Sequence, residues 1–161
     1  MNDTSDLATL KGDLLKTLEK IRQIERFYLE FKQDASQLPA NKPYGLIVLA
    51  DIFVDFYTCV ETGFVRVSKC FENNLEPARW HSRLLENMTL DVPGIRPRLL
   101  SNHVFSLLLE FLKFRHFRRY YFAYEYDRDR MAFLENKFTE LLPALRDEIT
   151  AFLSALDRIA Q

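Results

Sequence analysis

Residues 5–33, SDLATLKGDLLKTLEKIRQIERFYLEFKQ, set Leu7, Leu10, Leu14, Leu18, Ile21, Ile24, Tyr28 and Phe31 at steps of three and four. That spacing is the apolar stripe of one long amphipathic helix, with Thr4 or Ser5 as its cap. The same period returns at the other end of the chain. Over residues 129–159, Met131, Leu134, Phe138, Leu141, Leu145, Ile149, Phe152 and Leu156 predict a second long helix. Pro143 lies inside it and should kink or divide it near Leu141 by removing a backbone donor.

Between these two, Pro39 and Pro43 mark residues 35–43 as a loop, and a helix over residues 44–72 follows. That helix is apolar on most sides, through Ile47, Phe53, Phe56, Tyr57, Val60, Phe64 and Val67, and so belongs in the centre of the fold. A short helix is expected over residues 76–88. The stretch from Asp91 to Pro97 then reads as a rigid loop fixed by Pro93 and Pro97. Ser101 is the expected cap of a fourth long helix running to Tyr124. No alternation of strand length and no Asn-Gly or Asp-Gly hairpin signal occurs. The fold class is therefore all-α: one domain spanning residues 1–161, an antiparallel bundle of four long helices and one short one.

Composition narrows the function. The chain has 161 residues, of which 48% are hydrophobic and 28% charged, and its 14 Phe and 7 Tyr foretell an aromatic core. Its 4 Gly are too few for a Gly-rich phosphate loop, and no Gly-x-Ser-x-Gly, P-loop or Cys-x-x-Cys motif is present. A net charge of -1 gives no strong overall field to attract nucleic acid or an anionic membrane, so any such attraction must be local. No cationic-then-apolar leader and no apolar run of about 18 residues is seen, so a cytosolic, non-membrane protein is expected. Cys59 and Cys70, on one helix, stand about 16 Å apart along its axis, too far to pair, and are expected to be buried, unreactive thiols. No His or Cys lies at metal-ligand spacing to His81 or His103, so neither a metal nor a cofactor is expected.

The densest polar cluster is Lys113, Arg115, His116, Arg118 and Arg119, set among Phe111, Phe114, Phe117, Tyr120, Tyr121, Phe122, Tyr124 and Tyr126. On a helix, Arg115, Arg118, Arg119 and Phe122 share one stripe, and His116, Tyr120 and Tyr124 another. Guanidinium forks suit phosphate and aromatic faces suit unpaired bases, which makes this a candidate site for single-stranded RNA. The other reading has these arginines covering aromatic surface and pairing with Glu110, Glu125, Asp127 or Asp129.

Trp80-His-Ser-Arg-Leu-Leu-Glu-Asn-Met88, Asp91-Val-Pro-Gly-Ile-Arg-Pro97, Phe114-Arg-His-Phe-Arg-Arg-Tyr-Tyr121 and the closing amphipathic helix follow one another in a fixed order, with Asp55-Phe-Tyr57 upstream. Over residues 46–157 this combination resembles the HepT-like branch of the HEPN superfamily, helical proteins found beside nucleotidyltransferases in prokaryotic toxin-antitoxin pairs. The resemblance implies a homodimer acting as a metal-independent ribonuclease, with a nucleotidyltransferase antitoxin as partner. The family motif is Arg, four residues, His, one residue, Tyr. Arg115 fills the first place, but Tyr120 stands where His is expected and Phe122 where Tyr is expected. A phenol is a poor base at neutral pH. Arg115, His116 and Tyr120 are thus the candidate catalytic residues, with His116 the surviving acid-base group. Lys113, Arg115, Arg118 and Arg119 are the candidate RNA-binding residues. Phe122 has no hydroxyl to accept adenylate, leaving Tyr120, Tyr121 and Tyr124 as candidate modification sites. A non-catalytic helical dimer that binds RNA or the transferase is the second reading. A helical interaction module without an RNA role is the third.

Overall fold

A computed structural model describes residues 3–71 and 80–159, with side chains from residue 5 onward. The described residues form five α-helices, α1 (Asp3–Asp34), α2 (Tyr44–Phe71), α3 (Trp80–Asn87), α4 (Asn102–Tyr120) and α5 (Arg128–Ile159), with a 3-10 turn at Ala35–Gln37 after α1. The expected start of the short helix and the end of α2 at residue 72 lie outside the described residues. Since α1 already begins at Asp3, Ser5 is inside the helix, where its carbonyl accepts from the Thr9 hydroxyl at 3.0 Å, and it does not cap it.

The central place expected for α2 is found: it packs against all four other helices. It meets α1 tightly at Gly63, where a Cβ would stand 3.1 Å from the Thr17 side chain, so only glycine fits without displacing the neighbour. The centre of the bundle is aromatic. Fully buried Phe138 of α5 has its ring 5.1 Å from Tyr28, 5.3 Å from Phe53, 5.1 Å from Phe56 and 6.1 Å from Phe111, so α1, α2, α4 and α5 meet on one side chain. The contacts with Tyr28 and Phe56 are edge-on and the other two tilted, and such aromatic pairs add about 0.5–1.5 kcal/mol each beyond burial. The Tyr28 hydroxyl donates to Glu135 Oε1 at 2.7 Å and secures α1 to α5.

Helix α5 is not divided at Pro143. Pro143 and Thr139 are both exposed, so the carbonyl that loses its donor faces water, while Phe138, Leu141, Leu142 and Leu145 keep the inner face buried. Packing outweighs the missing bond. Helix α4 ends at Tyr120, four residues before the expected Tyr124; Tyr121 is extended, and residues 121–127 form no regular element. There Tyr126 folds back under Phe114 and Tyr121, with ring separations of 6.5 and 5.4 Å. Asp127 caps α5, its Oδ1 accepting from the Arg130 N–H at 2.7 Å. Ring burial and this cap win over continued helix, and Phe122 and Tyr124 lie off the helical stripes expected for them.

The Asp91–Pro97 loop is fastened by hydrogen bonds around its prolines. The Ile95 N–H donates to the Val92 carbonyl at 3.0 Å across Pro93-Gly94, and Gly94 has φ 74°, as a Pro-Gly type II turn requires. Buried Arg96 donates to the carbonyls of Asn87 and Leu90 at 2.9 and 3.1 Å, clasping the loop to the end of α3. Ser101 caps α4 as expected, accepting from the Val104 N–H at 3.2 Å.

Candidate functional site

Helices α2, α3 and α4 enclose a groove of about 720 Å³ lined by Asp51, Val54, Trp80, His81, Leu112, Arg115, His116, Arg118 and Arg119. Four of the residues singled out in the sequence, Arg115, His116, Arg118 and Arg119, meet there. Lys113 does not line it and pairs with Glu110 at 3.1 Å on the far side of α4. Tyr120 lies beside it, its ring edge-on to His116 at 5.3 Å.

The arginines do not pair as the sequence suggested. Glu110 takes Lys113 and Arg130, while Arg115 and Arg118 reach carboxylates of α2. Arg118 donates to Asp51 Oδ1 at 3.3 Å, and its buried Nε has no hydrogen-bond partner among the described residues. Arg119 lies 6.0 Å from the Tyr120 ring centre and forms no ion pair among them. Of the groove's three guanidinium groups it is the one with no carboxylate partner among the described residues.

Beneath the groove sits Glu61, only 5% exposed. Its Oε2 accepts from Arg115, and its Oε1 lies 2.6 Å from His81 Nδ1. The Arg115 guanidinium lies 5.7 Å from the ring centre of buried Tyr57. Burial, with Glu61 nearby, pushes the Tyr57 phenol well above its ordinary range, so it stays neutral under the ion pair. Trp80 packs over His81 with ring centres 3.7 Å apart. Glu61 has no motif around it, and its partners are 20 and 54 positions away. The one signal is its charge on a helix otherwise buried through Val60, Phe64 and Val67.

Elsewhere, His103 makes an exposed contact with Glu140 at 3.1 Å. Cys59 and Cys70 are not disulfide-bonded and are only half-buried, a correction to their expected burial; desolvation raises the Cys59 thiol pKa. Among the described residues, no helix is long and apolar enough to cross a membrane.

The described chain is all-helical, with the five-helix bundle architecture of the HEPN type. A sequence model of the HepT-like proteins matches residues 48–156, and the chain belongs to that family. No curated protein and no solved structure matches it.

Proposed function

We propose that this HepT-like protein is the RNA-directed component of a prokaryotic toxin-antitoxin pair, cleaving single-stranded RNA without a metal ion. The observation that carries the reading is the groove itself, where two imidazoles, three guanidinium groups and an indole share one opening. Guanidinium groups bind phosphate, the indole gives a base a stacking face, and the imidazoles can take up and deliver protons. Arg115 and Arg119 contact the phosphate chain and Arg118 borders it. Lys113 contributes only to the surrounding field.

The active form in this proposal is a homodimer joined through the end of α4. Phe117, Tyr120, Phe122 and Tyr124 are 46%, 64%, 86% and 59% exposed, an apolar surface of the kind a second copy covers. A nucleotidyltransferase antitoxin is the proposed partner and the cytoplasm the proposed compartment.

Incubating the purified protein with single-stranded RNA in EDTA tests the reading. Cleavage leaving 2′,3′-cyclic phosphate ends supports it, and intact RNA overturns it. One observation favours the second reading, a non-catalytic dimer that binds RNA or the transferase: Arg115 and Arg118 are both held by carboxylates of the protein. Stable binding of intact RNA is the result that reading expects.

A further inference from the structure

The family motif leaves this chain without a histidine five residues after Arg115, and His116 is the nearest replacement in sequence. The fold supplies another. We infer that His81 is the general base of the groove, with buried Glu61 as the residue that positions it, and that His116 is the general acid.

A carboxylate only accepts hydrogen bonds, so the 2.6 Å contact between Glu61 Oε1 and His81 Nδ1 puts the imidazole proton on Nδ1. In the neutral ring the lone pair is then on Nε2. Because Arg115 holds the other oxygen of Glu61, the carboxylate cannot turn away, and Trp80 packing on the ring face limits imidazole rotation. With Glu61 at 6% side-chain exposure, water competes little for the contact, whereas His81 at 34% stays accessible from the groove it lines. A carboxylate that fixes the tautomer of a histidine and stabilises its protonated form is what an efficient base needs. His116 is exposed on the groove wall and has no carboxylate partner among the described residues. Nothing fixes its tautomer, which suits a group that delivers a proton more than one that must hold its lone pair in place.

The step balances as a transesterification, and its substrate is the one in the proposed function above, on which this inference rests. His81 Nε2 takes the proton of the ribose 2′-hydroxyl, the 2′-oxygen bonds to phosphorus, the bond from phosphorus to the 5′-oxygen breaks, and protonated His116 gives its proton to that oxygen. The products are a 2′,3′-cyclic phosphate and a 5′-hydroxyl. Exchange with water returns both histidines to their starting forms. Arg115, anchored by Glu61, and Arg119 face the phosphate as its charge develops.

The test uses the full-length protein, an end-labelled single-stranded oligoribonucleotide and EDTA. His81→Asn keeps a donor in the place of Nδ1, so Glu61 stays satisfied, but has no base. Cleavage is expected to fall about 10²- to 10⁴-fold with melting temperature and RNA affinity unchanged. His116→Ala should lose activity to a similar degree. A substrate with sulfur in place of the bridging 5′-oxygen, a leaving group that needs no proton, should restore cleavage to His116→Ala and leave His81→Asn inactive. Wild-type rates in His81→Asn, or its rescue by the sulfur substrate, overturn the assignment of the base while the ribonuclease reading stands. A wild-type protein that leaves the oligonucleotide intact overturns both.

Discussion

Arg115 and Glu61, 54 positions apart in the chain, form an ion pair in which the glutamate side chain is 6% exposed and the arginine side chain 28%. The pair therefore belongs to the structure as well as to the groove. Arg115→Ala leaves a buried carboxylate with His81 as its one remaining partner among the described residues and is expected to cost about 3 kcal/mol, lowering the melting temperature by roughly 6–12 °C. Arg115→Lys keeps the charge and most of the stability but replaces a planar fork by a point donor, so RNA affinity should fall more than stability does. Calorimetry beside a binding titration separates the two effects. Equal stability of Arg115→Ala and wild type would remove the pair's structural role.

Gly94 offers a clean measurement of backbone strain. A Cβ there meets nothing within 4 Å, so the cost of Gly94→Ala comes from φ 74° alone and should be about 1–2 kcal/mol. Gly94→Asn should cost less, because Asn tolerates this region better. Urea midpoints of the two variants give the answer, and equal midpoints for Ala and Gly would refute the strain account.

Alkaline pH should destabilise the protein. Burial raises the phenols of Tyr28, Tyr57 and Tyr126; the Glu135 hydrogen bond adds to the effect at Tyr28, while Arg118 opposes it at Tyr126. In the unfolded chain these phenols ionise near pH 10, so there the unfolded state loses protons that the folded state retains. The stability they contribute is complete below about pH 10 and is lost as pH rises through the folded values. Melting temperatures measured across pH 9 to about 12 should show the decline. A flat profile would contradict it.

Modification by a partner transferase should select among three tyrosines. Tyr120 and Tyr124 are 64% and 59% exposed, whereas the Tyr121 hydroxyl donates to the Glu125 carbonyl and its ring stacks on Phe117 at 4.7 Å. Adenylate is therefore expected on Tyr120 or Tyr124. Mass spectrometry after co-expression checks this, and adenylate on Tyr121 alone, or none, would refute it.

What could be read from sequence alone was local and periodic. Leu14, Ile21, Leu134 and Phe152 are buried where the three-and-four spacing put them, and Ser101 caps α4 as its position suggested. The errors came where long-range packing overrides local pattern. The aromatic run to Tyr124 continues a helical period, yet burial of Tyr126 against Phe114 ends the helix at Tyr120. The core face of α5 carries it past Pro143 in the same way. At the groove, Arg115, His116, Arg118 and Arg119 were visible because they adjoin in sequence. Glu61 and His81 were not, because three helices must pack before a carboxylate, an imidazole and a guanidinium meet.

Trp80 is the chain's one tryptophan, and its ring lies on His81 at the wall of the groove. Its emission is thus a native optical reporter of this one place, with no other indole to dilute the signal. Protonation of the imidazole beneath it, or a base stacking above it, changes the quenching of that single fluorophore. Occupancy of the groove can be followed in unlabelled wild-type protein.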